Sequence, residues 1–234
     1  MNKDEITALF DKQAAHYDSQ WANTAPIRQC MYMLLETMFY EVPEDANILC
    51  VGAGTGAELS FLAGKKPGWR FTAVEPSGPM LDICRQQAGE QGFASRCLFH
   101  QGYLESLVTP EPYDAATCFL VSQFILDTRE RSLFFAEISS RLKPNGLLAS
   151  ADLASDTGSP EYDVLLKAWM NMMSAGGITP ENLARMRHAY QHDVGVMSPE
   201  SIADVIKSGG FDLPVLFYQA GLIHAWRAVK SPEC

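Results

Sequence analysis

With 234 residues, of which 47% are hydrophobic and 20% charged, the chain is long enough for one large folded domain and too apolar for a disordered one. Its formal net charge of −10 and the lack of a Lys/Arg run argue against a nucleic-acid partner, because phosphate binding relies on clustered cations. No apolar stretch approaches the roughly 18 residues of a membrane span, so no membrane partner is expected.

The cysteines and the first residues indicate a reducing compartment. Six cysteines stand at positions 30, 50, 84, 97, 118 and 234 without a C-x-x-C pair. Several lie in apolar runs, which is typical of buried free thiols rather than of a disulfide framework or a zinc site, and no metal is expected. The segment "MNKDEITALFDKQAAHYD" lacks the apolar region of a secretory signal. We therefore expect a cytoplasmic location.

The pattern of elements predicts an α/β fold. Residues 4–17 and "IRQCMYMLLETMFY", opened by Pro26, predict helices. Five strands follow in alternation with helices and turns: "NILCV", "WRFTAVE", "SRCLFHQ", "YDAATCFLVS" and "LLASADL". The intervening helices are "AELSFLAG", ending at Gly64, "PSGPMLDICRQQAGEQG", capped by Ser77, and "RERSLFFAEISSRL", with "KPNG" as a turn. Such alternation predicts a mostly parallel sheet with helices on both faces.

After residue 155 the pattern changes. Residues 160–194 are predicted to be mostly helical, with a break at "GGITP". "SPESIADVIKSGGF" predicts a helix from the N-cap Ser198 to Gly209. "LPVLFYQAGLIHAWRAVK" contains two strand-like runs that divide near Gly221, which we interpret as a closing hairpin.

The turn "GAGTGA" after the first strand predicts a ligand site. Gly52, Gly54 and Gly56 let the backbone approach a ligand, and the next helix offers unpaired N–H groups to it. The pattern satisfies both the dinucleotide fingerprint and the G-x-G-x-G form of nucleoside–methionine sites. Glu75 ends the second strand, where a carboxylate can accept hydrogen bonds from two ribose hydroxyls in either case.

Four segments in this order resemble class I S-adenosylmethionine-dependent methyltransferases: "LCVGAGTGAEL", "FTAVEPSGPMLDICR", "YDAATCFLVSQFIL" and "RLKPNGLLASADL". The resemblance implies a Rossmann-like, seven-stranded, mostly parallel sheet with a closing antiparallel hairpin. It also implies a single domain over residues 1–234. Its parts are a helical lid (1–44), a cofactor-binding core (45–155), a helical acceptor-side insertion (156–197) and a last helix with hairpin (198–234).

The resemblance implies contacts to S-adenosyl-L-methionine, with S-adenosyl-L-homocysteine as product. The glycine turn, with Ala53, would pack on the methionine portion, Glu75 would hold the ribose, and Pro76 would line the adenine. Met80 would contact the adenine or belong to the core, and Gly102 and Tyr103 would lie near the adenine after the third strand. The segment from Leu120 to Gln123 would lie beside the sulfonium or pack at the strand end. Tyr17 would belong to a lid over the cofactor, and Arg28 would lie near a carboxylate of the cofactor or acceptor.

Two positions depart from the pattern of the family. Cys50 replaces the acid that often helps to hold the cofactor's amino group, so that either another acceptor or backbone carbonyls and water must take its place. Tyr103 replaces the acid near the adenine amino group, where stacking or a hydroxyl contact is the alternative. The cysteine itself fits a small buried strand residue better than a nucleophile.

The acceptor side carries weaker candidates. His188, Tyr190 and His192 are candidate bases or surface residues. Arg185 and Arg187 are candidates for the extra carboxylate of a carboxy-S-adenosylmethionine synthase, a group that the C-terminal half resembles. An apolar group suits a hydrophobic acceptor or the core; it comprises Trp169, Met170, Met172 and Met173.

The expected function is methyl transfer to a small-molecule O, N or C acceptor, by in-line displacement in which proximity is the main effect. A carboxy-S-adenosylmethionine synthase-like enzyme is the alternative within the family. A nicotinamide-dependent oxidoreductase and a non-catalytic cofactor-binding partner are the alternatives outside it. A homodimer is left open.

Overall fold

The structure is a computed structural model that describes residues 1–109, 111–173 and 179–232, apart from the side chains of Asn182 and Gln191. Its strands are β1 Asn47–Val51, β2 Arg70–Glu75, β3 Cys97–Gln101, β4 Tyr113–Phe119, β5 Leu142–Leu153, β6 Phe211–Ala220 and β7 Ile223–Lys230. Its helices are α1 Lys3–Gln13, α2 Tyr17–Gln20, α3 Ala25–Met38, α4 Ala57–Lys65, α5 Gly78–Glu90, α6 Thr128–Ser140, α7 Pro160–Met173, α8 Pro180–His192 and α9 Pro199–Ser208.

The strands form one seven-stranded sheet in the order β3-β2-β1-β4-β5-β7-β6. The first five strands pair in parallel, and β7 runs antiparallel to both β5 and β6. The predicted mostly parallel sheet with a closing hairpin is therefore confirmed. The order reverses between β1 and β4, and parallel sheets bind ligands in the crevice at such a point.

Helices cover both faces of the sheet, as the alternation of elements predicted. Ile48 and Cys50 of β1 belong to one apolar cluster, which includes Leu59 of α4, whereas Leu49 and Val51 belong to the other, which includes Phe135 and Ile202. A strand buried on both faces needs apolar side chains at consecutive positions. Each such side chain stabilises the fold by about 1.5–3 kcal/mol when it is fully buried.

Several predicted boundaries are wrong, among them the following three. Helix α4 runs to Lys65, with Gly64 inside it, because the N–H of Lys66 still bonds to the carbonyl of Leu62. The predicted turn "KPNG" lies within β5, where Asn145 has a φ of 61° and the pairing with β4 shifts register. Strand β4 ends at Phe119, because Leu120 has a φ of 60° and leaves the extended conformation.

The C-terminal half follows the prediction more closely. Helices α7 and α8 fall within residues 160–194, and residues 176–178 of the predicted break lie outside the described residues. Ser198 caps α9 by accepting a hydrogen bond from the N–H of Ser201. None of the helices in the described part of the chain is long and apolar enough to cross a membrane.

Candidate functional site

The glycine turn follows β1 at the point where strand order reverses. Gly52, Gly54 and Gly56 have φ values of 68°, 55° and 86°, in the left-handed region that favours glycine. A Cβ atom added to Gly52 would lie 2.3 Å from a methyl carbon of Val121, and one added to Gly56 would lie 2.6 Å from the sulfur of Cys84. One added to Gly54 would meet nothing within 4 Å, so this glycine borders open space where a ligand can approach the backbone.

Glu75 holds the middle of this turn. One of its carboxylate oxygens accepts a hydrogen bond of 2.9 Å from the N–H of Gly54, and the other accepts one of 2.8 Å from the N–H of Ser77. Burial raises the pKa of the Glu75 carboxyl above its ordinary value, although these two hydrogen bonds pull it down. Each oxygen has a second lone pair, so the carboxylate can also accept hydrogen bonds from ligand hydroxyls.

A cavity opens between the turn, the first turn of α4, the end of β4 and helices α2 and α3. Its wall is largely apolar or aromatic. Ala53 of the turn is part of this wall, and the larger side chains that line it include Tyr17, Arg28, Tyr32, Glu58, Phe119 and Leu120. Glu58 and Arg28 are therefore its charged residues, which is the composition expected of a small-molecule site with a few polar groups.

Glu58 was missed by the sequence analysis. It lies in the first turn of α4 and is only 6% exposed, and its Oε1 accepts a hydrogen bond of 2.7 Å from the hydroxyl of Thr117 on β4. Burial raises the pKa of Glu58 from 4.5 to about 8, against the effect of that hydrogen bond. The available signal was an acid on the helix face that also carries Leu59 and Leu62, both buried.

The buried position of Glu58 predicts how stability depends on pH. Because the folded state binds this proton more tightly than the unfolded chain, the free energy of unfolding falls as the pH rises from 4.5 to about 8. Glu58→Gln cannot ionise, so it removes this pH-dependent loss of stability, and its amide oxygen can still accept the hydrogen bond from Thr117. The variant should therefore gain stability relative to the ligand-free wild type across this range, by at most about 5 kcal/mol. Urea unfolding at several pH values measures the difference, and a pH-independent difference would contradict the prediction.

The N-terminal helices lie across the carboxyl edge of the sheet and bond to the loops there. The hydroxyl of Thr55, after β1, donates to Asp18 at 2.8 Å, and that of Ser77, after β2, donates to Asp11 at 2.6 Å. These contacts were not anticipated. They fasten the segment that the sequence analysis interpreted as a lid to two of the loops that form the predicted cofactor site.

The hydroxyl of Tyr103, after β3, makes a third contact of this kind. It donates to the carbonyl of Lys3 at 2.6 Å and lies 2.9 Å from the hydroxyl of Thr7. The ammonium of Lys3 lies 4.6 Å from the centre of the Tyr103 ring. The hydroxyl is thus engaged by α1, contrary to the suggested hydroxyl contact with adenine. Gly102 before it has a φ of 154°, and an added Cβ would lie 2.7 Å from the hydroxyl of Ser106.

Tyr17 and Arg28 are two predicted residues that the structure does bring to the cavity. The ring of Tyr17 packs edge-on against Phe10, with centroids 6.3 Å apart, and burial raises its pKa to about 12. The guanidinium of Arg28 has a long hydrogen bond of 3.5 Å to the carbonyl of Trp21 and no ion pair with any described residue. It can therefore take an anionic group of a ligand.

The other predicted positions have different surroundings. Of the four residues after β4, Leu120 lines the cavity. The amide oxygen of Gln123 instead accepts a hydrogen bond of 2.9 Å from the N–H of Leu153. Met80 is 1% exposed and is not among the residues that line the cavity, which fits the alternative that it belongs to the core. Pro76 is half-buried.

Cys50 lies within the apolar interior. Its side chain is fully buried, and burial raises the pKa of its thiol well above the ordinary value. The sulfur is therefore a neutral packing group, in line with the interpretation as a small buried strand residue.

The candidates of the acceptor side do not line this cavity. The exposed rings of His188 and His192 stack with centroids 4.1 Å apart on α8, and the hydroxyl of Tyr190 accepts a hydrogen bond of 2.9 Å from the indole of Trp169. Arg187 forms an ion pair of 2.7 Å with Asp163. Three methionines are buried in, or packed against, the core: Met170, Met172 and Met173.

A buried polar network supports the edge of the site and was not predicted. The guanidinium of Arg131 on α6 lies 3.1 Å from a carboxylate oxygen of Asp152 on β5, and the two side chains are 1% and 0% exposed. It also donates at 2.9 Å to the hydroxyl of Ser122 and at 2.9 Å to the carbonyl of Gly195. The network thereby joins the ends of β4 and β5 to the segment before α9, and it takes Ser122 away from the cavity.

Comparison with known proteins shows what the central region is similar to. The family described as "Methyltransferase domain" matches residues 48–146. The carboxy-S-adenosyl-L-methionine synthase of Campylobacter hominis is 23% identical over 221 residues, which cover 93% of each chain. The biotin biosynthesis bifunctional protein BioHC of Teredinibacter turnerae is 26% identical over 198 residues, or 79% of this chain and 31% of that protein. The chain thus spans less than a third of the bifunctional relative.

The fold has counterparts among solved structures. An O-methyltransferase family protein from Burkholderia thailandensis has a TM-score of 0.62 and 15% identity, and the match covers 89% of this chain and 58% of that one. At this identity the similarity concerns the fold. The match includes most of the chain, whereas the family match covers its central part.

Proposed function

We propose that the chain is a class I S-adenosylmethionine-dependent methyltransferase, which uses S-adenosyl-L-methionine to methylate a small apolar molecule; the methyltransferase-domain match and the carboxy-S-adenosyl-L-methionine synthase relative support this. The observation that carries the proposal is the buried Glu75 carboxylate, bonded to the N–H of Gly54 at the point where strand order reverses. A carboxylate in this place can accept the two hydroxyls of a ribose, and the open space beside Gly54 leaves room for the rest of the nucleoside.

The proposed mechanism is an in-line displacement in which positioning is the main effect. The cofactor supplies an electrophilic methyl group on a positively charged sulfonium. The glycine turn and Glu75 would fix the nucleoside, and the rings of Tyr17 and Phe119 would exclude water from the cavity. We assign no general base to His188 or His192, since neither lines the cavity.

The character of the cavity supports an apolar acceptor. Besides its aromatic side chains, aliphatic ones line the wall, among them Ile27, Met31 and Ile223. Such a surface favours a flat or apolar molecule over a charged one. The proposed acceptor atom is an O, N or C atom of that molecule.

Ordinary S-adenosylmethionine is proposed over its carboxylated form. Arg187 is engaged by Asp163 and is not among the residues that line the cavity, so it is not placed to pair with an extra carboxylate there. Arg28 is the cation of the cavity wall, and we propose that it pairs with the carboxylate of the methionine portion.

A thermal-shift comparison tests the class of ligand. S-adenosylhomocysteine should raise the melting temperature, because a ligand at 100 times its Kd stabilises the folded state by about 2.7 kcal/mol. NAD at the same concentration serves as control and should leave the melting temperature unchanged. A shift with NAD and none with S-adenosylhomocysteine would instead support the oxidoreductase alternative. Release of S-adenosylhomocysteine in an acceptor screen then separates an enzyme from a non-catalytic cofactor-binding partner.

A further inference from the structure

Glu58 is a buried carboxyl group on the cavity wall to which the proposed reaction assigns no role. We propose that Glu58 accepts a hydrogen bond from the α-ammonium group of the cofactor's methionine portion. This inference rests on the proposed function, since it concerns how the same site binds S-adenosylmethionine. Glu58 would take the place of the acid that Cys50 replaces at the end of the first strand.

The contacts of Glu58 leave one of its oxygens for a ligand. Oε1 accepts a hydrogen bond from the hydroxyl of Thr117. Within the described residues, no hydrogen bond to Oε2 and no ion pair of Glu58 is found. A carboxylate taken out of water is costly without a cationic partner. The side chain nevertheless lines the cavity together with Gly54 and Thr55. A ligand cation in the cavity would supply the missing partner.

The neighbouring groups are poorly suited to the same task. Glu75 accepts two backbone N–H groups, and the proposed function assigns its remaining lone pairs to the ribose hydroxyls. The thiol of Cys50 is fully buried and stays neutral. Arg28 carries the same charge as the ammonium, and it lines the same cavity without pairing with Glu58. An amino-acid zwitterion would therefore meet a cation for its carboxylate and, in Glu58, an anion for its ammonium.

Ionisation of Glu58 should then be linked to cofactor binding. With a pKa of about 8, the carboxyl is mostly protonated at pH 6.5 in the ligand-free protein and must lose its proton to bind the ammonium as an anion. Glu58 interacts electrostatically with titratable groups on the surrounding elements: Glu75 on β2, Tyr17 on α2, Tyr32 on α3, Cys50 on β1, Cys84 on α5 and Cys118 on β4. Burial raises the pKa of each of these phenols and thiols above its ordinary value, so they stay protonated at neutral pH.

A pair of ligands isolates the role of Glu58. S-adenosylhomocysteine carries the ammonium, whereas 5′-methylthioadenosine keeps the adenosine and the thioether but lacks the amino-acid portion. Calorimetric titration of the wild type and Glu58→Gln should show that the variant binds S-adenosylhomocysteine roughly ten- to a hundredfold more weakly at pH 8. The Kd for 5′-methylthioadenosine should stay within about twofold. The exposed substitution Glu90→Gln is the matched control and should change neither Kd.

The pH dependence supplies a second readout. In the wild type, the affinity for S-adenosylhomocysteine relative to 5′-methylthioadenosine should rise about tenfold between pH 6.5 and pH 8, and in Glu58→Gln it should stay level. Titration of Glu75 would change the affinities for both ligands alike, so it cancels in the ratio of the two affinities. Equal weakening of both ligands, or unchanged binding of S-adenosylhomocysteine by the variant, would overturn the role of Glu58 alone. A wild type that binds neither ligand would overturn the proposed function as well.

Discussion

Replacement of Arg131 by methionine is expected to lower the free energy of unfolding by about 3–5 kcal/mol. The substitution leaves the Asp152 carboxylate, which is fully buried, without its cation and removes the donors to Ser122 and Gly195. Burial raises the pKa of Asp152 even with Arg131 present, so the surroundings already disfavour its charge. Urea unfolding followed by circular dichroism measures the loss, and Arg129→Met, at an exposed position of the same helix, is the control.

A double variant tests whether the loss of stability comes from the unpaired carboxylate of Asp152. If the cost comes from the unpaired carboxylate, Arg131→Met combined with Asp152→Leu should be more stable than Arg131→Met alone, because no buried charge remains. A loss for Arg131→Met no larger than that for Arg129→Met would refute the structural importance of the pair. Because the network holds the segment before α9 through Gly195, we also expect that segment to become more accessible to protease in the single variant.

The second large effect is expected at Glu75. Glu75→Ala should weaken the binding of S-adenosylhomocysteine by about ten- to a hundredfold, or roughly 1.5–3 kcal/mol for a charge-assisted pair. The substitution removes the proposed ribose acceptor and also frees the N–H groups of Gly54 and Ser77, which loosens the glycine turn. An amide is no mild replacement here, because both oxygens of Glu75 face N–H donors and one of them would become an NH₂ group.

The same two ligands distinguish Glu75 from Glu58. Since 5′-methylthioadenosine retains the ribose, Glu75→Ala should weaken its binding as much as that of S-adenosylhomocysteine. Calorimetry at one pH is sufficient, and Glu90→Ala is the exposed control. Unchanged affinity for both ligands would remove the ribose assignment. Because the Glu75 side chain is only 6% exposed, circular dichroism must first show that Glu75→Ala is folded.

Local patterns in the sequence were sufficient for the sheet and for locating part of the candidate site. Consecutive apolar residues in β1 followed by Gly52, Gly54 and Gly56 indicate a buried strand that ends in a ligand turn, and Glu75 stands at the end of the next strand. In a parallel sheet these two strand ends lie side by side, so the hydrogen bond between Glu75 and Gly54 follows from topology. The wrong boundaries, such as β4 ending at Phe119, depend on the backbone of single residues, which sequence periodicity does not encode.

The sequence by itself determined the fold class and indicated the turn of the proposed cofactor site, because those depend on periodicity and on residue types at fixed short spacings. Only the tertiary structure decided which polar side chains act together. Glu58 and Thr117 are 59 positions apart, Tyr103 and Lys3 are 100 apart, and Arg131 and Gly195 are 64 apart. Contacts over such separations depend on how helices pack on the sheet. The environment of a buried acid, and with it the pKa of Glu58, exists only once that packing has removed water from it.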